Sequence, residues 1–288
     1  MLTTLYVYNE KLLDVVEFPL VGVLESSDPL QIRNIDGLGP VKADIASTPF
    51  ATGRGAFHQG DSTGVRNIVL TVGLNPDWAD QSVAALRQML YAYFMPEKWT
   101  RLSFFSDELS QVDIDGVVES FEPNIFSQDP EIQVSILCHR PDFIDPNEKL
   151  VTGIVPNSLV DGAPIQTVIN YEGTAPTGFE LRVKLVHPKP IYLGRLIVVN
   201  QGPTIYETFE MDEITLDVAH YFMLTTIKTA RRVEEIYPAD NWRGNLLANM
   251  KGGSKWPELK PGENTFSVGA EQSGLKYELR YYNRFGGL

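Results

Sequence analysis

Only one stretch of this chain, Asp77 to Pro96, repeats its apolar residues at helical spacing, and most of the remainder alternates as strands do. Val83, Leu86, Met89, Leu90, Tyr93 and Phe94 recur at intervals of three and four, the mark of one apolar helical face. Asp77 and Asp80 stand where first-turn amides need acceptors and the helix dipole favours negative charge, and Pro96 ends the pattern. The spacing predicts an amphipathic helix over 77–95, lying on a sheet with Arg87 and Gln88 on its wet side. A single helix in a chain patterned this way makes the fold mainly β, and the helix is scaffold rather than chemistry.

Two β patterns flank one interruption. Before it come opening strands through Leu5 and Val7, then Leu13, Val15 and Phe18, a strand over 65–73, and strands over 102–105, 112–114, 117–121 and 132–137. Asp115-Gly116 reads as a hairpin turn between two of these. The turn-rich run from Arg140 to Asn147 carries two prolines in a polar setting and marks a boundary near Asp145. The expected division is an N-terminal domain, 1–145, of β-sandwich or split-barrel type with the helix, and a C-terminal antiparallel β-sandwich, 146–288. In the second half about nine short strands separated by turn residues support the sandwich. They include separate strands over 204–210 and 213–218, and an irregular connection from Gly244 to Pro261-Gly262.

The 288 residues carry 37 acidic and 24 basic side chains, a net charge of -13, which argues against a broad electrostatic grip on nucleic acid or anionic lipid. A single cysteine, Cys138, excludes an internal disulfide and a cysteine-based zinc cluster; within its apolar run it reads as a buried, inert thiol. The N-terminal stretch has acids where a secretory signal has bases, and no eighteen apolar residues run together. Synthesis in the cytosol without membrane insertion is the expectation.

Residues that could carry chemistry fail on spacing. Gly53-Arg54-Gly55 followed by Gly60 lacks the GxGxxG interval and has no helix behind it, so the stretch from Pro49 to Gly64 reads as a long loop or an extended β-arm. Asp113-Ile114-Asp115-Gly116 lacks the later ligands of a calcium loop. His58, His139, His187 and His220 stand singly, with no metal-ligand spacing. Asp212-Glu213 and Glu234-Glu235 are adjacent pairs that point to opposite strand faces, as solvated edges do. No catalytic, cofactor or metal site is expected. Trp242 and Trp256 either plug one end of the sandwich or, with Asn241, Arg243 and Asn245, offer an aromatic surface to a partner or a glycan.

The ordered set of local patterns resembles the distal tail proteins of long, flexible-tailed bacteriophages. It comprises the glycine-rich stretch to Gly60, Arg66-Asn67-Ile68-Val69-Leu70, the helix to Phe94, and Ile136-Leu137-Cys138 running into Pro141-Asp142-Phe143. It continues with Asn170-Tyr171-Glu172-Gly173 before Pro176-Thr177-Gly178, then Leu259-Lys260-Pro261-Gly262-Glu263-Asn264, and ends in Tyr281-Tyr282-Asn283-Arg284-Phe285-Gly286-Gly287-Leu288. The resemblance implies a structural, non-enzymatic protein of the virion tail tip whose N-terminal domain forms a hexameric ring between the tail tube protein and the tail-tip hub protein. It further implies a galectin-like C-terminal sandwich that offers a docking surface to receptor-binding components, and DNA passing through the ring without specific binding. With it, Gly53, Arg54, Gly55, Phe57 and Gly60 become an inter-subunit arm. The segment Val233 to Lys260 is long for that family's sandwich connection. A carbohydrate-binding module of a tail or cell-surface protein is the alternative.

Overall fold

The computed structural model describes residues 1–9, 11, 13–20, 28–75, 82–108, 110–124, 126–156, 165–186, 189–204, 206–272 and 274–288. The chain divides into two compact units, Met1–Pro146 with Phe285–Leu288, and Asn147–Arg284. The last four residues, which the sequence placed with the second half, thus group with the first unit.

The first unit contains β1 (Leu2–Tyr8), β2 (Val15–Pro19), β3 (Leu30–Asp36), β4 (Ala43–Pro49), β5 (Ala56–Thr63) and β6 (Arg66–Leu74). They are followed by α1 (Val83–Phe94), β7 (Trp99–Ser106), β8 (Ser110–Asn124), β9 (Glu131–Cys138) and the two-residue β10 (Phe143–Ile144). One antiparallel sheet runs in the order β2-β1-β7-β8-β9-β6-β3. Its end strands β2 and β3 come back into contact, so the sheet curls into the split-barrel form of the two expected. Period-two alternation buries Ile68, Leu70 and Val72 of β6 and Ile132, Val134 and Ile136 of β9 on the inner side.

Helix α1 adds Leu86, Leu90 and Phe94 to that core. Its cap is Ser82, whose Oγ accepts from the Ala85 amide; the expected acids Asp77 and Asp80 lie outside the described residues. Met89, assigned to the apolar face by spacing, is exposed, whereas Val83 and Tyr93 of the same face pack partly buried against the core beside Leu86, Leu90 and Phe94.

A second correction concerns Asp115-Gly116, which is no turn: β8 runs through it unbroken for fifteen residues. Asp115 instead pairs with Arg101 on β7, and buried Gly116 faces β9. Glycine is needed there for close approach, so the local turn signal misleads.

The second unit contains β11 (Lys149–Val155), β12 (Gln166–Tyr171), β13 (Glu180–Leu185), β14 (Ile191–Gln201), β15 (Tyr206–Leu216) and β16 (Tyr221–Thr225). Then come β17 (Arg232–Tyr237), β18 (Trp242–Asn245), β19 (Gly262–Ala270) and β20 (Leu275–Tyr281), while the two-residue β21 (Arg284–Phe285) straddles the division and pairs with β10. A six-stranded sheet, β11-β20-β13-β16-β17-β18, and a four-stranded sheet, β12-β19-β14-β15, share one core. Leu181, Val183, Leu224 and Leu279 come from the first, and Val198, Phe209, Phe266 and Val268 from the second. This is an antiparallel sandwich. The two strands expected over 204–210 and 213–218 are one strand, β15, which takes Glu213 at φ 55° in stride because pairing with β14 continues on both sides. Part of the expected irregular connection is β18, which pairs with β17 in the register Tyr237↔Trp242.

Candidate functional site: a bare hairpin and an edge strand

Strands β4 and β5 form a two-stranded sheet of their own. This is the extended β-arm of the two readings, and its strands begin six residues earlier than the glycine-rich stretch suggested. Every residue of β4 is exposed, as is all of β5 except Gly60. Gly53, Arg54 and Gly55 make its tip, with Gly53 at φ 104° and Gly55 at φ 110°, a backbone region that glycine adopts without a Cβ penalty. Phe57 meets Phe50 edge to face at 4.6 Å across the tip. Phe57 itself is 66% exposed, as Ile45 is 67%. No residue from Ala43 to Thr63 belongs to a hydrophobic core.

The residues singled out in the second half divide. Asn241, at φ 58°, turns the chain into β18, where Trp242 is 47% exposed. Arg243 pairs with Glu234 at 3.2 Å, and the Asn245 side chain accepts from the Leu247 amide at 2.8 Å. Trp256 packs against the core beside Phe209, with ring centres 5.3 Å apart, and Arg231 lies over its ring at 5.7 Å. Trp256 therefore plugs the sandwich and Trp242 does not.

The neighbour that spacing missed is His220. Its ring stacks on Tyr237 at 4.7 Å, lies 5.7 Å from Trp242, and its Nδ1 is 2.7 Å from Glu235. The pair Glu234-Glu235 does point to opposite partners, but it is no solvated edge: β17 is an interior strand and both carboxylates are largely covered by cationic or imidazole partners. Among the described residues no group of three His, Cys, Asp or Glu side chains converges as a metal site; His187 lies outside them. Burial pushes the Cys138 thiol up to about 12, against a smaller opposing pull from Arg66, so it stays protonated and inert at neutral pH.

Several motifs that carried the family resemblance hold backbone turns. The Tyr171 hydroxyl donates to the Ala175 carbonyl at 2.7 Å and accepts from the Arg284 amide at 2.9 Å. Fully buried Asn264 accepts from the Lys260 amide and donates to the Lys260 and Gly262 carbonyls, closing the loop at Pro261-Gly262.

No protein-family model matches the sequence, and no curated protein does. Among solved structures, the Dit protein of phage SPP1 aligns over 98% of this chain and 99% of its own, at a TM-score of 0.66 and 12% identity. The fold is that of SPP1 Dit. That protein is described as a paradigm of the hub adsorption apparatus in phages infecting Gram-positive bacteria. A chain of the phage P2 baseplate in its activated conformation aligns over 98% of both chains, at a TM-score of 0.43 and 9% identity. Against the Dit fold, the bare hairpin belongs to the first unit and the Trp242 edge to the sandwich.

Proposed function

We propose that this chain is a non-enzymatic structural protein of a phage tail tip, made in the host cytoplasm, that forms a six-membered ring between the tail tube protein and the tail-tip hub protein. The observation that carries this reading is the end-to-end fold match with SPP1 Dit. The hairpin supports the ring. An isolated two-stranded hairpin is marginal in water, and this one exposes Ile45 and Phe57, so a neighbouring copy that covers it removes apolar surface from solvent. An arm on one copy that grips the body of the next is a heterologous contact, which closes into a ring when the rotation closes. We read the second unit as the carrier of the docking surface for a receptor-binding component. The net charge of -13 suits a lumen along which DNA slides without specific binding.

Six copies of the 32.2 kDa chain make a particle of roughly 190 kDa. Light scattering at several concentrations and negative-stain images are expected to show that mass and six lobes, and removal of Gly53 to Gly60 is expected to weaken assembly while thermal unfolding stays normal. A chain that is monomeric at every concentration and absent from tail tips in immunogold images overturns the reading. The two units are further read as domains that meet in sequence near Asp145. Limited proteolysis is expected to cut first between Pro141 and Gly162, and resistance there with first cleavage within 1–140 or 163–288 would reject it.

Trp242 favours one second reading, a carbohydrate-binding surface, because a half-exposed indole beside His220 and Glu235 offers both a stacking face and polar groups. Glycan-array binding by the full chain that disappears in Trp242→Ala supports it; an empty array leaves the ring reading alone.

A further inference from the structure

We infer that Arg66 is the positioning residue of the hairpin arm, locking its root to the first unit with the C-terminal segment as the opposite jaw. The inference rests on the reading of β4 and β5 as an inter-subunit arm. Arg66 is the first residue of β6, three positions after β5 ends, so it stands where the hairpin leaves the sheet. The chain enters the hairpin through residues 37–42, just before β4.

The guanidinium joins the two places. Its Nη1 donates to the carbonyls of Gly37 and Gly39, the latter at 2.6 Å, on the entering root. Its Nε donates to the Pro141 carbonyl at 2.6 Å and its Nη2 to the Gly286 carbonyl at 2.6 Å. Its Cζ lies 4.5 Å from the centre of the Phe143 ring, and the whole residue is 2% exposed. The Leu288 amide then donates to the Leu38 carbonyl at 3.0 Å. Three successive carbonyls of the entering root, at Gly37, Leu38 and Gly39, are thus held either by Arg66 or by the C-terminal segment.

Beyond its root none of the hairpin's residues reaches a hydrophobic core, which leaves the root as the place where its direction is set. An arm whose direction is set before assembly meets its neighbour without the entropy cost of ordering it on contact. Only a planar fork of donors serves carbonyls in several directions at once; a lysine ammonium is a compact point charge on a flexible stem and cannot reproduce the set.

The test uses the full chain with nitroxide labels on Thr52→Cys, at the hairpin tip, and Gln88→Cys, on the exposed side of α1; Cys138 is buried and stays unlabelled. Spin-diluted samples keep the measured distance within one copy. Double electron–electron resonance is expected to give one narrow distance peak with Arg66 in place. That peak is lost both in Arg66→Lys and in a chain truncated after Phe285, while amide-exchange protection in β8 and β9 persists. An unchanged peak in both overturns the inference. Should Arg66→Lys fail to fold, the truncated chain, which keeps Arg66 but lacks the Gly286 and Leu288 contacts, decides alone. Ring formation by the unlabelled wild-type chain is read separately by light scattering, so failure of the arm's partner and failure of the arm's root are told apart.

Discussion

Gly116 and Ile136 lie so close that a Cβ on Gly116 would stand 2.5 Å from the Ile136 Cγ2, and 3.0 Å from the Cys138 Sγ. Strands β8 and β9 meet across this contact at the centre of the curled sheet. Gly116→Ala is therefore expected to destabilise the first unit by about 2 kcal/mol through overpacking. Urea unfolding measures it; a midpoint equal to wild type would show that Ile136 moves aside freely.

Cys138 makes stability depend on alkaline pH. Its thiol is raised to about 12 in the folded chain by burial, whereas an unfolded cysteine ionises near about 8.5. Between those values the folded state holds the proton that the unfolded state releases, so stability falls as pH rises, by at most about 1.4 kcal/mol per pH unit. Denaturant midpoints at pH 8 and pH 10 are expected to differ more in wild type than in Cys138→Ala. Equal slopes in the two chains would contradict the linkage.

The Tyr171 hydroxyl is both donor and acceptor for backbone groups of the sandwich. Tyr171→Phe leaves the Arg284 amide and the Ala175 carbonyl without it, at a cost of about 2 kcal/mol. Thermal melts of the full chain read the loss, and increased amide exchange at Arg284 locates it.

The two tryptophans of the second unit are expected to separate in a stability assay. Trp256→Ala opens a cavity beside Phe209 and removes the ring under Arg231, costing about 3 kcal/mol. Trp242→Ala, on an edge strand with its indole half in water, changes stability by about 1 kcal/mol or less. Equal losses would mean that Trp242 supports the sheet as much as Trp256 supports the core.

The motifs behind the family resemblance were legible in the sequence, but their work was not. Asn264 and Tyr171 stood out as parts of short patterns, and their hydrogen bonds to distant or turning backbone explain why such patterns constrain the chain. Trp242 and Trp256 carried two readings that spacing could not divide, since both are tryptophans near the same connection and only the register of β18 with β17 puts one of them at an edge. His220 gave no signal, because its neighbours Tyr237, Trp242 and Glu235 come from later strands of the sheet.

The sequence by itself determined the mainly β class, the position of most strands and the presence of the helix, because alternation and helical spacing are properties of consecutive residues. Tertiary structure alone decided that Asp115-Gly116 continues a strand, that β4 and β5 stand clear of every core, and that Arg66 holds the hairpin root. Those outcomes depend on partners brought from far along the chain, 75 positions away at Pro141 and 220 at Gly286. Local propensity has no term for such a partner, so a turn signal yields wherever burial and long-range pairing are worth more than the turn.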